Sequence, residues 1–152
     1  MLHSLFLITC IVLGNMNSEL LAAETYNTQS SLLDEINKVR QDNEIAPLKP
    51  NTLLDKVATQ QAIQLQRIGR LTHYGEKQEP LGLRLTNQGY LYKACAENLA
   101  SGQATERQVV TTWLNSSGHR DNMLEPIYTH AGIGTIQSKS GPYWVLILAT
   151  NE

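Results

Sequence analysis

Cysteine is scarce in this chain, and so are any surplus of basic residues and any long apolar run. Cysteine occurs only at Cys10 and Cys95, and Cys10 falls in a leading segment read below as removable. Cys95 then has no partner for an internal disulfide, so stability must come from burial of a core. Lys and Arg number 12 against 14 Asp and Glu, a net charge of -2 with neutral histidines. Nucleic-acid binding and polyanion steering both need a basic excess, so neither is expected. The apolar run Leu5-Phe6-Leu7-Ile8-Thr9-Cys10-Ile11-Val12-Leu13 is well short of the roughly 20 residues that cross a bilayer. No transmembrane anchor is therefore expected in the mature chain, and there is no internal repeat or low-complexity tract.

That short run is followed by Leu21-Ala22-Ala23, a small-residue cleavage site, and together they read as a secretory signal peptide over residues 1–23. No Lys or Arg precedes Lys38, so the positive start rests on the terminal amine and His3. The protein is expected to be secreted, whether extracellular or periplasmic. About 130 residues remain, the length of one domain. Residues 24–30 are polar and read as a flexible arm, with the folded domain over 31–150.

Within that domain, Ser31 with Asp34 predicts a helix start, and Leu32, Leu33, Ile36 and Val39 give the helix one apolar face as far as Asn43. Pro47 and Pro50 make the next stretch a loop with Ile45 and Leu48 turned inward. Thr52 with Asp55 predicts a second cap, before a stripe of Leu54, Val57, Ala58, Ala62, Leu65 and Ile68 that stops at Gly69. A shorter helix is predicted between Pro80 and Gly89. Ala94 to Ala100 reads as a buried extended segment. Ala131 to Gln137 and Tyr143 to Leu148 read as strands of a hairpin that turns through Ser138 to Pro142. Helices around a small antiparallel sheet make an α+β fold.

The densest stretch is Trp113-Leu114-Asn115-Ser116-Ser117-Gly118-His119-Arg120-Asp121-Asn122-Met123-Leu124. Thr105 with Gln108 forms a capping box for a helix that carries Val109, Thr112 and Trp113 on one side. Gly118 is expected to end that helix in the left-handed conformation, so that His119 follows on a turn held by backbone geometry.

These residues, in this order, resemble the CAP superfamily of SCP-like extracellular proteins, in its short bacterial, disulfide-free branch. The resemblance is carried by the opening helix with Asn37 and Arg40, the His73 segment, and Ala96-Glu97-Asn98-Leu99-Ala100 with Gly102. It continues through the Trp113 helix, Gly118 to Leu124, His130-Ala131-Gly132-Ile133-Gly134, and Tyr143-Trp144. It implies an α-β-α sandwich and a cleft in which His73, Glu97 and His119 match three of the family's two histidines and two glutamates. The second glutamate is missing, since Asn115 and Ser116 stand there. Ala96 replaces the usual glycine, and Leu146 a residue that is polar in many members.

Two imidazoles and one carboxylate form a possible open zinc site, with His73, Glu97 and His119 as ligands. The same trio could instead hold Glu97 hydrogen-bonded between the two histidines as a polar latch. Bound zinc could activate water, which gives a metal-dependent hydrolase of peptide or cell-envelope material as the alternative to a non-enzymatic binding protein for a metal, a lipid-like small ligand or a protein partner. Ser116 and Ser117 lack the strand-elbow setting of a nucleophile. In an extended segment Cys95, Glu97 and Leu99 point the same way, so Cys95 is either a reactive group beside the carboxylate or a small buried hydrophobe. Tyr74, Tyr90, Tyr92, Tyr128 and Tyr143 are candidates for the cleft mouth. His130 reads as an ordinary surface or edge histidine.

Overall fold

The structure is a computed structural model that describes residue 20 and residues 27–152, so the expected signal peptide, residue 20 apart, lies outside the described residues. In chain order the elements are α1 (27–42), β1 (Lys49–Pro50), α2 (Thr52–Ile68), α3 (Leu81–Asn87), β2 (Tyr92–Ser101), α4 (Glu106–Leu114), α5 (Ser117–Leu124), β3 (His130–Ile136) and β4 (Tyr143–Asn151). The strands lie in the order β1-β3-β4-β2. β4 pairs antiparallel with both β3 and β2, and β1 adds a two-residue parallel edge through Lys49 opposite His130 and Pro50 opposite Ala131. The expected antiparallel sheet is therefore extended by a parallel piece where a loop was expected. Proline is tolerated at such an edge because its missing N–H faces no inner neighbour.

β4 explains the sandwich. Its residues are apolar without alternation, as a strand covered on both faces requires. Trp144, Leu146 and Leu148 pack with Leu32, Leu33 and Ile36 of α1, Val109, Val110 and Trp113 of α4, and Met123 of α5. Tyr143, Val145, Ile147 and Ala149 pack on the other face with Leu54, Val57, Ala58, Ala62 and Leu65 of α2 and Leu85 of α3. Helices thus cover both sides, giving the α-β-α sandwich of an α+β protein.

The layer spacing is set on β3. A Cβ on Gly132 would stand 2.2 Å from the Leu54 carbonyl carbon, and one on Gly134 would stand 2.3 Å from that of Ala58. Only glycine lets α2 lie this close to the strand. Asp55 of α2 then accepts from the Ile133 N–H (2.9 Å), and Gln29 donates to the Ile133 carbonyl (2.6 Å). On the opposite side Arg40 is fully buried and donates to the carbonyls of Ala46, Met123, Glu125 and Tyr128. One guanidinium therefore ties the loop after α1 to the end of α5 and the approach to β3, as a rigid fork of five donors allows.

Several local expectations are corrected. Residues 27–30 are already helical, so α1 begins before Ser31 and takes in part of the stretch expected to be a loose arm. The cap of α2 is Asn51, whose side chain accepts from Leu53 and Leu54, not Thr52; Asp55 is committed to Ile133. Gly69 does stop α2, at φ 70. The Thr105 cap of α4 forms, with Gln108 reaching back to the Ala104 N–H rather than to Thr105 itself. α4 ends earlier than expected, at Leu114 with Asn115 as its cap, and Gly118 lies inside α5 without a positive φ. His119 consequently sits in the first turn of a helix rather than on a turn. Tyr90 and Tyr143 are core residues rather than lining for a cleft mouth.

Substituting Gly134→Ala forces its new methyl into the Ala58 backbone, and the expected loss is about 1–3 kcal/mol, the usual range for overpacking. Urea denaturation followed by circular dichroism checks it as a lowered midpoint with an unchanged slope; a midpoint equal to that of the parent would show that the layers can move apart freely.

Candidate functional site

Three segments meet at the edge strand β2. Strand alternation puts Cys95, Glu97 and Leu99 on the face covered by α2 and α3, and Asn98 on the face covered by α4 and α5. Cys95 is half-buried there, and Leu99 lies in the core. The segment that leaves α2 after Gly69 brings His73 back over β2. Its path is held by Gln61, a buried polar residue on the apolar stripe of α2, which donates to the carbonyls of Thr72 (2.6 Å) and Tyr74 (3.3 Å). Gln64 adds a bond to the Tyr74 carbonyl (3.1 Å).

Glu97 is the centre of the arrangement. Its side chain is 3 % exposed, and each oxygen has its own partner: Oε1 accepts from His73 Nδ1 at 2.9 Å, and Oε2 from Arg84 Nη2 at 2.8 Å. Arg84, from α3, also donates to the Gln61 side chain (3.1 Å) and the His73 carbonyl (3.2 Å). A buried charge needs a partner of this kind, since desolvation alone would make it very costly. The His73 imidazole, by contrast, is 60 % exposed. Its Nδ1 is fixed by the Glu97 carboxylate.

His119 arrives from the opposite layer. Its backbone carbonyl accepts from the buried Asn98 side chain (2.9 Å), whose own oxygen accepts from Asn122 (2.9 Å). Among the described residues the His119 ring has no hydrogen-bond partner, and it is not bonded to Glu97. The second partner of the carboxylate is Arg84, so a latch of Glu97 between two histidines does not form. His73 and Glu97 are hydrogen-bonded to each other, whereas among the described residues the His119 ring is bonded to neither.

The two imidazoles are tuned in opposite directions. The hydrogen bond that His73 donates to Glu97 raises the His73 pKa above its ordinary value; burial opposes this, the Glu97 charge adds to it and the Arg84 charge opposes it. Burial lowers the His119 pKa, and the charge of His73 lowers it further. Burial likewise pushes the Cys95 thiol up, with Arg84 opposing and Glu97 adding, which favours the inert, protonated form. Among the described residues no three His, Cys, Asp or Glu side chains are grouped so as to hold a metal ion. A metal here would have the two imidazoles as protein donors, with Glu97 behind His73 as an orienting carboxylate.

Arg84 and Gln61 were not anticipated from the sequence. Gln61 did carry a signal, being the one polar residue at a core position between Ala58 and Leu65. Arg84 carried none, because its partners lie 13 and 23 residues away. His130, expected to be an edge histidine, opens β3 and pairs with the Thr129 hydroxyl (2.9 Å).

A three-layer sandwich with a histidine and glutamate at its sheet edge defines a class, and comparison with known proteins gives its family. Residues 33–148 match CAP, the cysteine-rich secretory protein family, and the chain belongs to that family. It is 31% identical over 112 residues to the uncharacterized Bacillus subtilis protein YkwD, covering 74% of this chain and 44% of that one. It spans less than half the length of the curated relatives it matches. An extracellular Bacillus anthracis protein containing an SCP domain superposes with TM-score 0.77 at 20% identity, over 84% of this chain and 41% of that one. An outer surface protein of Borrelia burgdorferi superposes with TM-score 0.74 at 24% identity, over 80% of this chain and 90% of that one. Both structural likenesses speak to the fold.

Titration followed by NMR should place the His73 midpoint above 6.5 and that of His119 below it. Glu97→Gln should bring His73 down toward the ordinary value. The raised His73 value contributes stability that is complete below about 6.5 and fades as pH rises through the folded midpoint. The lowered His119 value contributes stability that is complete above about 6.5 and fades as pH falls through its folded midpoint. A His73 midpoint unmoved by Glu97→Gln would mean that the hydrogen bond is not what holds it up.

Proposed function

We propose that this chain is an exported, non-enzymatic CAP-domain binding protein whose cleft at His73, Glu97 and His119 receives a small ligand, with a divalent ion such as zinc the first to test. The observation that carries this reading is the full commitment of Glu97. Its two oxygens are held by His73 and Arg84, so Glu97 is not free to take a proton from water. A metal-dependent hydrolase with Glu97 itself as ligand or base would need that carboxylate free beside the reacting water. Donor groups remain for binding: Nε2 of the largely exposed His73 imidazole and the ring of His119, which has no hydrogen-bond partner among the described residues.

Zinc would draw two imidazoles from the protein and complete its shell with water or ligand atoms. Structural zinc sites use four protein ligands and catalytic ones three, so zinc held by two imidazoles would be weakly bound and exchangeable. Its use would be to bridge a ligand's oxygen or nitrogen to the cleft while His73 is kept in one orientation. Export is supported by two structural relatives, one an extracellular protein and one an outer surface protein. No described helix is long and apolar enough to cross a membrane.

Isothermal titration with zinc should give saturable heat that His119→Ala abolishes and that Glu97→Gln weakens by about 10- to 100-fold, as loss of an orienting carboxylate does. The same protein should not hydrolyse peptide or cell-envelope substrates with zinc present. An absence of heat from the native protein would remove the metal from the proposal. Turnover that His73→Ala and chelator both abolish would replace binding with catalysis.

A further inference from the structure

β2 is the outer strand on one side of the sheet, flanked by the His73 segment on one face and by the start of α5 on the other. We infer that its free edge is a β-augmentation site, where an extended peptide segment pairs with the backbone of Cys95 and Glu97 as one more strand of the sheet. The inference rests on the binding reading of the cleft and gives that cleft a class of partner; it requires no metal.

The direction of the backbone groups follows from the ladder. The Gly102 N–H donates to the Pro142 carbonyl (2.9 Å). With Ala100 opposite Trp144, Asn98 opposite Leu146 and Ala96 opposite Leu148, the repeat of two turns the N–H and C=O of Ala96, Asn98 and Ala100 toward β4. Those of Cys95, Glu97 and Leu99 therefore point away from the sheet. The indole of Trp113 meets the Leu99 carbonyl there (3.1 Å), and a bulge between Tyr92 and Ala94 breaks the ladder at the other end. Between these stops lie Cys95 and Glu97, and among the described residues no hydrogen bond reaches their outward N–H and C=O groups. The opposite edge of the sheet is covered group by group. Thr129 and Ala131 carbonyls accept from the N–H groups of Lys49 and Asn51, and Ile133 is bonded by Asp55 and Gln29.

These open groups can be reached. Glu97 is 7 % exposed as a whole residue but 3 % exposed in its side chain, so most of what solvent meets on it is backbone; Cys95 is half-buried. Donors and acceptors alternating at strand spacing are the complement of another extended backbone, and an unpaired edge is a ready template for one. A partner of about three residues spans the window. Its side chains would fall alternately toward the His73 segment and toward α5, because a strand presents successive residues to opposite faces. A second copy of this chain fits less well: its own β2 would bring an identical His73 segment and α5 against the first pair, whereas a free extended chain brings neither.

The test uses the protein in chelator, titrated with N-acetyl-Thr-Val-Thr-Val-Thr amide and with the same peptide N-methylated at every residue. Hydrogen exchange by NMR should find the Cys95 and Glu97 amides unprotected in the free protein and protected, with saturable shifts, in the complex. The N-methylated peptide should bind at least about tenfold more weakly, the effect of losing more than one net hydrogen bond. Cys95→Pro, which removes an outward donor at an edge position where proline is tolerated, should weaken the parent peptide by about threefold to tenfold. The N-methyl comparison needs only the native protein, so it decides the matter even if that variant does not fold. Absence of saturation, equal binding of the methylated peptide, or amides already protected in dilute free protein would each overturn the inference. So would protection that grows with protein concentration alone, which would mean pairing between copies. Zinc heat that His119→Ala abolishes is read separately, so the edge can fail while the cleft reading stands.

Discussion

The near contact between α2 and β3 is the constraint on which the rest of the molecule depends. Two glycines let the helix backbone come down onto the strand backbone, and an aspartate bonded to the strand's Ile133 N–H fixes the helix along it. Close packing then leaves little freedom, because interiors at crystal-like density transmit small displacements rather than absorb them. Every residue farther along α2 inherits that placement. Among them is Gln61, two turns after Leu54, which both steers the chain through Thr72 and Tyr74 and meets Arg84.

From this placement the site follows as a relay. Helix α2 fixes Gln61, Gln61 and Glu97 fix Arg84, and Arg84 with Gln61 fixes the backbone around His73. Only then does the carboxylate of Glu97 meet the imidazole at hydrogen-bonding distance. A buried ion pair of this sort is weak evidence for stability, since desolvation offsets most of the attraction. Its contribution here is geometric: it removes alternatives for three side chains at once. His119 is positioned by an independent route, through its carbonyl and the Asn98–Asn122 pair, so the segments that carry His73 and His119 are anchored on opposite faces of one edge strand.

How much of this could be read in the sequence depends on the range of the interactions. Helix faces and the doubly buried β4 were legible, because periodicity is a local property that burial imposes. Helix ends were less so. Asn51 and Thr52 are both good capping residues, and the chain used the first. At Asn115 to Gly118 a glycine suggested one long turn, while the actual break falls three residues earlier and a new helix begins at Ser117. β1 was invisible because a two-residue strand containing Pro50 has no pattern of its own. His73, Glu97 and His119 were found only through their resemblance to a family arrangement, since nothing local links them. Arg84 was not found at all: a cation in a short helix looks solvated until the fold places a carboxylate beside it.

The missing second glutamate acquires a physical meaning once Arg84 is in view. A cleft with two carboxylates and two imidazoles would carry net negative charge and attract a dication strongly. Here the position after the tryptophan helix holds Asn115, an exposed cap, and the remaining carboxylate is opposed by a guanidinium at 2.8 Å. Charge at the site is therefore close to balanced while the histidines are neutral, and it turns positive when His73 takes up a proton. Attraction for a free divalent ion falls with that balance, because the screening charge of Arg84 is close, buried and little weakened by solvent. A ligand that brings its own negative or hydrogen-bond-accepting atoms would gain from the same charges. On the function proposed above, the arrangement would favour a polar ligand over a bare metal ion at this site.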